Sequence, residues 1–195
     1  MSARFSPLHD YPVAHGAAIM RRADAAEQRV TEDSPALEAM TDLAVVDAVR
    51  VSSNVAIDAA LEQMKSSGVR LLFVTSLGDE LLGVITSRDI ESEKPMRFQR
   101  ETGLTRADVL VRDIMTSRDS LEVLKLDDVR RARVGDIVAT LKSMGRQHAI
   151  VVDGAAGRML VCGLFSTTRI SRQLGVALEV AETARTFSEI EAALR

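Results

Sequence analysis

The sequence predicts an α/β protein built from two similar small sheet-and-helix units packed with pseudo-twofold symmetry. Three observations predict it: apolar residues recur at helical spacing in two stretches, each stretch passes through a glycine into paired apolar segments of strand length, and this order appears twice. With 46% hydrophobic residues over 195 positions, the chain holds enough apolar surface for a sizeable core.

Taken in order, residues 1–36 mix prolines, alanines and charges without a sustained period, so they are expected to form an arm. Residues 37–110 are the first repeat with a connecting helix. EAMTD (38–42) leads in and AVRVS (48–52) supplies a short strand. IDAALEQMKSSG (57–68) then places Ile57, Leu61 and Met64 on one helical face. VRLLFVTS and LLGVIT follow as strands about a GDE turn, where glycine is expected to relieve the steric cost. Residues 111–172 are the second repeat: RDIMTS leads in, LEVLKL is a short strand, and DDVRRAR is expected as a loop. IVATLKSMG repeats the trio as Ile137, Leu141 and Met144, and HAIVVD and MLVCGLF are strands about a GAAGR turn. The strand-to-helix junctions match as GVITSRDI (83–90) and GLFSTTRI (163–170). Residues 173–195 are expected to form a C-terminal helix with Leu178, Ala181, Phe187, Ile190 and Leu194 on its apolar side. Each unit, with a three-stranded sheet and two helices, buries one sheet face; pairing the copies covers more apolar surface, at about 25 cal/mol per Å2.

Composition narrows the function. A formal net charge of -3 with 27% charged residues argues against broad attraction to nucleic acid, and no basic stripe or aromatic interleaving appears. The longest apolar stretches are shorter than the roughly 20 residues that cross a bilayer. No continuous apolar signal segment opens the sequence, so a cytoplasmic protein without membrane association is expected. The single cysteine, Cys162, reads as a strand side chain, and Met40 and Met115 as apolar anchors of the lead-in segments. His9, His15 and His148 are scattered with no HExxH pattern, so no metal site is expected. Nothing assembles a nucleophile with a base, so no catalytic residue and no enzyme activity is expected.

The chemistry concentrates at the junctions. A strand ending at Thr86 presents its hydroxyl near the exposed N–H groups of the next helix, with Ser87 placed to cap it, and such donors suit phosphate oxygens. Asp89, one turn on, can accept from a ribose diol. The same pair equally serves as a helix cap, and both readings stand on sequence alone. Arg70 and Arg88 are expected to add positive charge near this junction, and Arg146 and Arg169 in the other half; solvated or ion-paired surface charge is the alternative.

EAMTD, RDIMTS, GVITSRDI and GLFSTTRI together resemble a cystathionine beta-synthase (CBS) domain pair, or Bateman module, over roughly residues 37–172. The resemblance implies tandem CBS domains and a non-catalytic regulatory module. It also implies an adenosine-containing ligand, AMP, ADP, ATP or S-adenosylmethionine, in an inter-repeat cleft, with no required cofactor. Thr86 and Asp89 fit the hydroxyl and ribose-binding positions of such modules, flanked by Ser87 and Arg88. In the second copy Ser166 keeps the hydroxyl but Arg169 replaces the carboxylate, and arginine offers no acceptor to a ribose hydroxyl. Binding is expected to alter module or dimer conformation, with an effector protein as a further partner. The alternative is a structural or partner-binding homodimer with no physiological nucleotide.

Overall fold

A computed structural model describes residues 29–154 and 159–180. The described residues form eight strands: β1 (Thr41–Asp42), β2 (Arg50–Ser52), β3 (Leu71–Thr75), β4 (Leu81–Thr86), β5 (Thr116–Ser117), β6 (Val123–Lys125), β7 (His148–Asp153) and β8 (Leu160–Ser166). Seven α-helices accompany them among the described residues: α1 (Ile57–Ser67), α2 (Ser87–Glu91), α3 (Lys94–Thr102), α4 (Val111–Ile114), α5 (Leu126–Val129), α6 (Val134–Ser143) and α7 (Thr167–Leu174).

The strands form two four-stranded sheets, β2-β3-β4-β5 and β6-β7-β8-β1. In each, the first pair is parallel and the other two antiparallel, and the hairpin register breaks at the same place, between Val74 and Thr75 and between Val151 and Val152. The sequence repeat is therefore a structural repeat.

The fourth strand of each sheet comes from the other repeat, so the sheets have four strands rather than the expected three. β1 pairs with β8, and β5 pairs with β4. A glycine admits each exchanged segment. A Cβ on Gly83 would lie well inside van der Waals distance of the Thr116 carbonyl oxygen, and one on Gly163 would meet the Met40 side chain. The exchange continues at the helix starts. The Ile57 N–H donates to Val109 O (3.1 Å), and the Val134 N–H to Ser34 O (2.9 Å), so each main helix is closed by backbone preceding the other unit's lead-in.

Three apolar clusters result. Ile57, Ala60, Met64, Leu72 and Ile85 lie in the first unit's core; Ala36, Ala39, Ile137, Leu141 and Phe165 lie in the second. Leu71, Phe73 and Val84 meet Ile150 and Val152 between the sheets. Burial of this shared face is the hydrophobic term that holds the units together.

Several local expectations change. The buried face of α1 is Ile57, Ala60 and Met64, leaving Leu61 half-buried at its margin; Met144 caps α6 rather than lying within it. In the GDE turn Asp79, not Gly78, takes the left-handed backbone (φ 62°), a conformation aspartate tolerates better than most residues. DDVRRAR begins inside α5, whose Val129 is buried, so it is partly helical. The arm's last residues pack on the second unit: Val30 is buried and its N–H donates to Gln173 O (3.2 Å). Gly175 ends α7 with φ 73°, and residues 176–180 continue without helix, with Leu178 against the second core. The GAAGR turn beyond Gly154, residues 1–28 of the arm and residues 181–195 of the C-terminal segment lie outside the described residues.

Candidate functional site

β4 ends at Thr86, whose extended backbone (φ -113°, ψ 159°) makes it the N-cap of α2. The Asp89 N–H donates to Thr86 Oγ1 (3.2 Å), while the Thr86 N–H and hydroxyl both donate to Asp89 Oδ2 (2.9 and 2.6 Å). This reciprocal capping box satisfies donors that a helix start leaves open. Ser87, the expected cap, is instead the first helical residue, its N–H donating to Arg70 O (3.1 Å). The second carboxylate oxygen, Asp89 Oδ1, accepts from Lys94 Nζ at 2.5 Å. The Asp89 side chain is only 13% exposed, which screens the pair less than an open surface would.

This junction borders a cleft of about 540 Å3 between the two units. Leu71 and Val84 of the first unit and Leu121 and Ile150 of the second supply apolar walls. Thr86, Arg88 and Asp89 lie on one side, followed by Lys94, Arg97 and Arg100 of α3. Across from them the second unit contributes Gly145, Arg146, Gln147 and His148. Five cationic side chains face three acidic ones here, a local excess of positive charge in a chain of net charge -3. Arg146 also pairs with Glu122 at 2.9 Å.

His148 starts β7, opposite Ser166 in the hairpin. Burial pushes its pKa down to about 4, the positive charge of Arg70 acts in the same direction, and Asp89 opposes them. The imidazole is therefore neutral at pH 7, a donor and an acceptor at the cleft wall rather than a cation.

Of the residues singled out in the sequence, Thr86, Asp89 and Arg88 share the cleft, while Ser87, Ser166 and Arg169 do not line it. Arg146, expected to charge the other half, faces the first junction instead. At the second junction Ser166 makes no side-chain cap, and Arg169 Nε is buried without a hydrogen-bond partner among the described residues. Sequence reasoning missed Lys94, Arg97 and Arg100 as site residues; their spacing of three in KPMRFQRET was the available signal. His148, one of three histidines scattered without a metal pattern in the sequence, also lines the cleft. Cys162 is half-buried in β8, and burial raises its thiol pKa, which suits an unreactive side chain. Among the described residues no group of three or more His, Cys, Asp or Glu side chains is arranged to hold a metal ion. None of the described helices is long and apolar enough to cross a membrane.

Comparison with known proteins agrees with this architecture. The CBS domain family model matches residues 38–93. No curated protein matches the sequence. Among solved structures, an uncharacterized conserved protein from Pyrococcus horikoshii superposes with a TM-score of 0.54 at 20% identity, covering 78% of this chain and all of that one. A CBS-domain containing protein from Agrobacterium tumefaciens gives 0.50 at 18% identity, covering 67% of this chain and 88% of that one. The CBS domain of a bacterial CNNM/CorC family Mg2+ transporter, solved with an inhibitor, gives 0.50 at 18% identity, covering 74% and 78%. The chain thus contains a CBS domain in its first half, and its two interlocked sheet-and-helix units have the tandem CBS, or Bateman-module, fold.

Proposed function

We propose that this protein is a non-catalytic regulatory module that senses an adenosine-containing ligand, AMP, ADP, ATP or S-adenosylmethionine, in the cleft between its two units. The match of residues 38–93 to the CBS domain model, with the resemblance of the paired repeat to a Bateman module, supports a regulatory, nucleotide-sensing role. One observation carries the reading for this chain: Thr86 and Asp89 border the same cleft as cations supplied by both units. In this reading Asp89 accepts from the ribose hydroxyls, held in place by Thr86 and Lys94. The apolar walls at Leu71, Val84 and Ile150 flank the base, and the cations take the anionic group. A ligand touching both units shifts their relative orientation, or a homodimer surface, to the extent that it binds one arrangement better than another. The second junction, with Arg169 at the carboxylate position, is not a ribose site. A homodimer in the cytoplasm, with an effector protein as its target, completes the proposal.

Calorimetry of the folded, ligand-free protein with AMP, ADP, ATP and S-adenosylmethionine tests it. The expected result is binding by at least one of them at a single site per chain. Asp89→Asn is expected to weaken that binding about ten- to a hundredfold, the range of a charged hydrogen bond. Absence of binding across the panel overturns the proposal. It would favour the second reading, a structural or partner-binding homodimer, which has its own support in that Thr86 and Asp89 already satisfy one another as a helix cap.

A further inference from the structure

We infer that the cleft is built for a ligand carrying an extended polyphosphate, three phosphates or more, laid along α3, rather than for a monophosphate held at the strand-to-helix junction. The inference rests on the sensor reading above but names the ligand class within it. At the junction Thr86 already donates to Asp89 and accepts from its N–H, so it has little left to offer a phosphate. On α3, by contrast, Lys94, Arg97 and Arg100 all line the cleft at a spacing of three residues. At 1.5 Å rise per residue the ladder spans about 9 Å, longer than one phosphate can bridge and well matched to a chain of them.

The ladder is also uncommitted at its far end. Lys94 is tied to Asp89, whereas the side chains of Arg97 and Arg100 make no hydrogen bond or ion pair among the described residues. Both are exposed, so they hold no part of the core together. Arginine's planar donors suit successive phosphates, each contact being charge-assisted. The nucleoside end belongs near Asp89 and the phosphate tail runs away from it toward Arg100.

Titration of the full chain in metal-free, low-salt buffer with AMP, ADP, ATP and inorganic tripolyphosphate tests this. ATP is expected to bind about tenfold or more tighter than AMP, with ADP between, and tripolyphosphate alone is expected to bind and to compete with ATP. The double substitution Arg97→Gln, Arg100→Gln is expected to abolish tripolyphosphate binding and to weaken ATP far more than AMP, bringing the two affinities together. Equal affinity for AMP and ATP with no tripolyphosphate binding overturns the inference and leaves nucleotide sensing intact. Tripolyphosphate binding that adenosine does not improve upholds the polyanion site and overturns the nucleoside reading. Tripolyphosphate binding that survives the double substitution overturns the assignment to α3.

Discussion

Lys94 Nζ donates to Asp89 Oδ1 at 2.5 Å while Thr86 occupies Oδ2, so one carboxylate joins the last residue of β4, the start of α2 and the start of α3. Two effects compete when it is altered. Asp89→Ala removes the cap and the pair together and is expected to lower stability by about 1–2 kcal/mol. Lys94→Met removes the pair alone, and with Lys94 38% exposed its expected cost is only about 0–1 kcal/mol. Urea unfolding of the two variants measures the difference; a larger loss from Lys94→Met would make the ion pair, not the cap, the dominant contact.

The repeated glycines carry unequal constraints. At Gly83 an added methyl meets the backbone of β5, which cannot step aside without breaking its pairing with β4; at Gly163 it meets the flexible Met40 side chain. Gly83→Ala is expected to cost about 2–3 kcal/mol and Gly163→Ala about 1 kcal/mol or less, as overpacking against rigid and yielding neighbours does. Thermal unfolding that ranks them the other way would contradict the strand exchange at β5.

His148 makes stability depend on pH. Its folded pKa of about 4 lies below the unfolded 6.5, so between these values the unfolded chain binds more protons than the folded one. Stability from this group is full above pH 6.5 and falls as pH drops through the window, by at most about 3 kcal/mol. His148→Leu, which installs the residue type found at Leu71 at the start of β3, is expected to flatten that part of the profile. Denaturant midpoints of both proteins at pH 7 and pH 4.5 test it. An unchanged slope would remove the burial of the imidazole.

On α1 the buried stripe predicts a graded series. Met64→Asp puts an unpaired charge into the first core and is expected to unfold the protein, because nothing there compensates the carboxylate. Leu61→Asp, at the half-buried margin, is expected to cost about 2 kcal/mol, and Glu62→Gln, exposed and paired with Lys65, less than about 0.5 kcal/mol. Circular dichroism melts of the three give the order directly. Equal effects at Leu61 and Glu62 would mean that the helix presents another face to the sheet.

Nucleotide recognition offers a further readout of the same geometry, since Asp89→Asn leaves the Thr86 N–H an acceptor while removing the charge that pairs with Lys94. Its expected signature is weaker ligand binding with a smaller loss of stability than Asp89→Ala. Calorimetry and unfolding on one preparation separate the two. A parallel loss of both would reduce Asp89 to a helix cap.

Local chemistry was legible along the chain. The spacing of Ile57, Leu61 and Met64, and of Ile137 and Leu141, marked α1 and α6, and the apolar runs LLFVT and AIVVD marked the central strands, because side-chain periodicity is set within a few residues. The duplication itself was visible for the same reason, and with it the fold class. Lys94, Arg97 and Arg100 were spaced for a common face, but no pattern within nine residues says what that face looks toward.

Tertiary structure decided the rest. The two-residue strands β1 and β5 are too short to carry a period, and their exchange between sheets depends on where Gly83 and Gly163 leave room. Arg146 and His148 reach the cleft of Thr86 and Asp89 only because the Leu71, Phe73 and Val84 face packs on Ile150 and Val152. That contact joins residues far apart in the chain through hydrophobic burial, which has no direction along the sequence and so leaves no local mark to read.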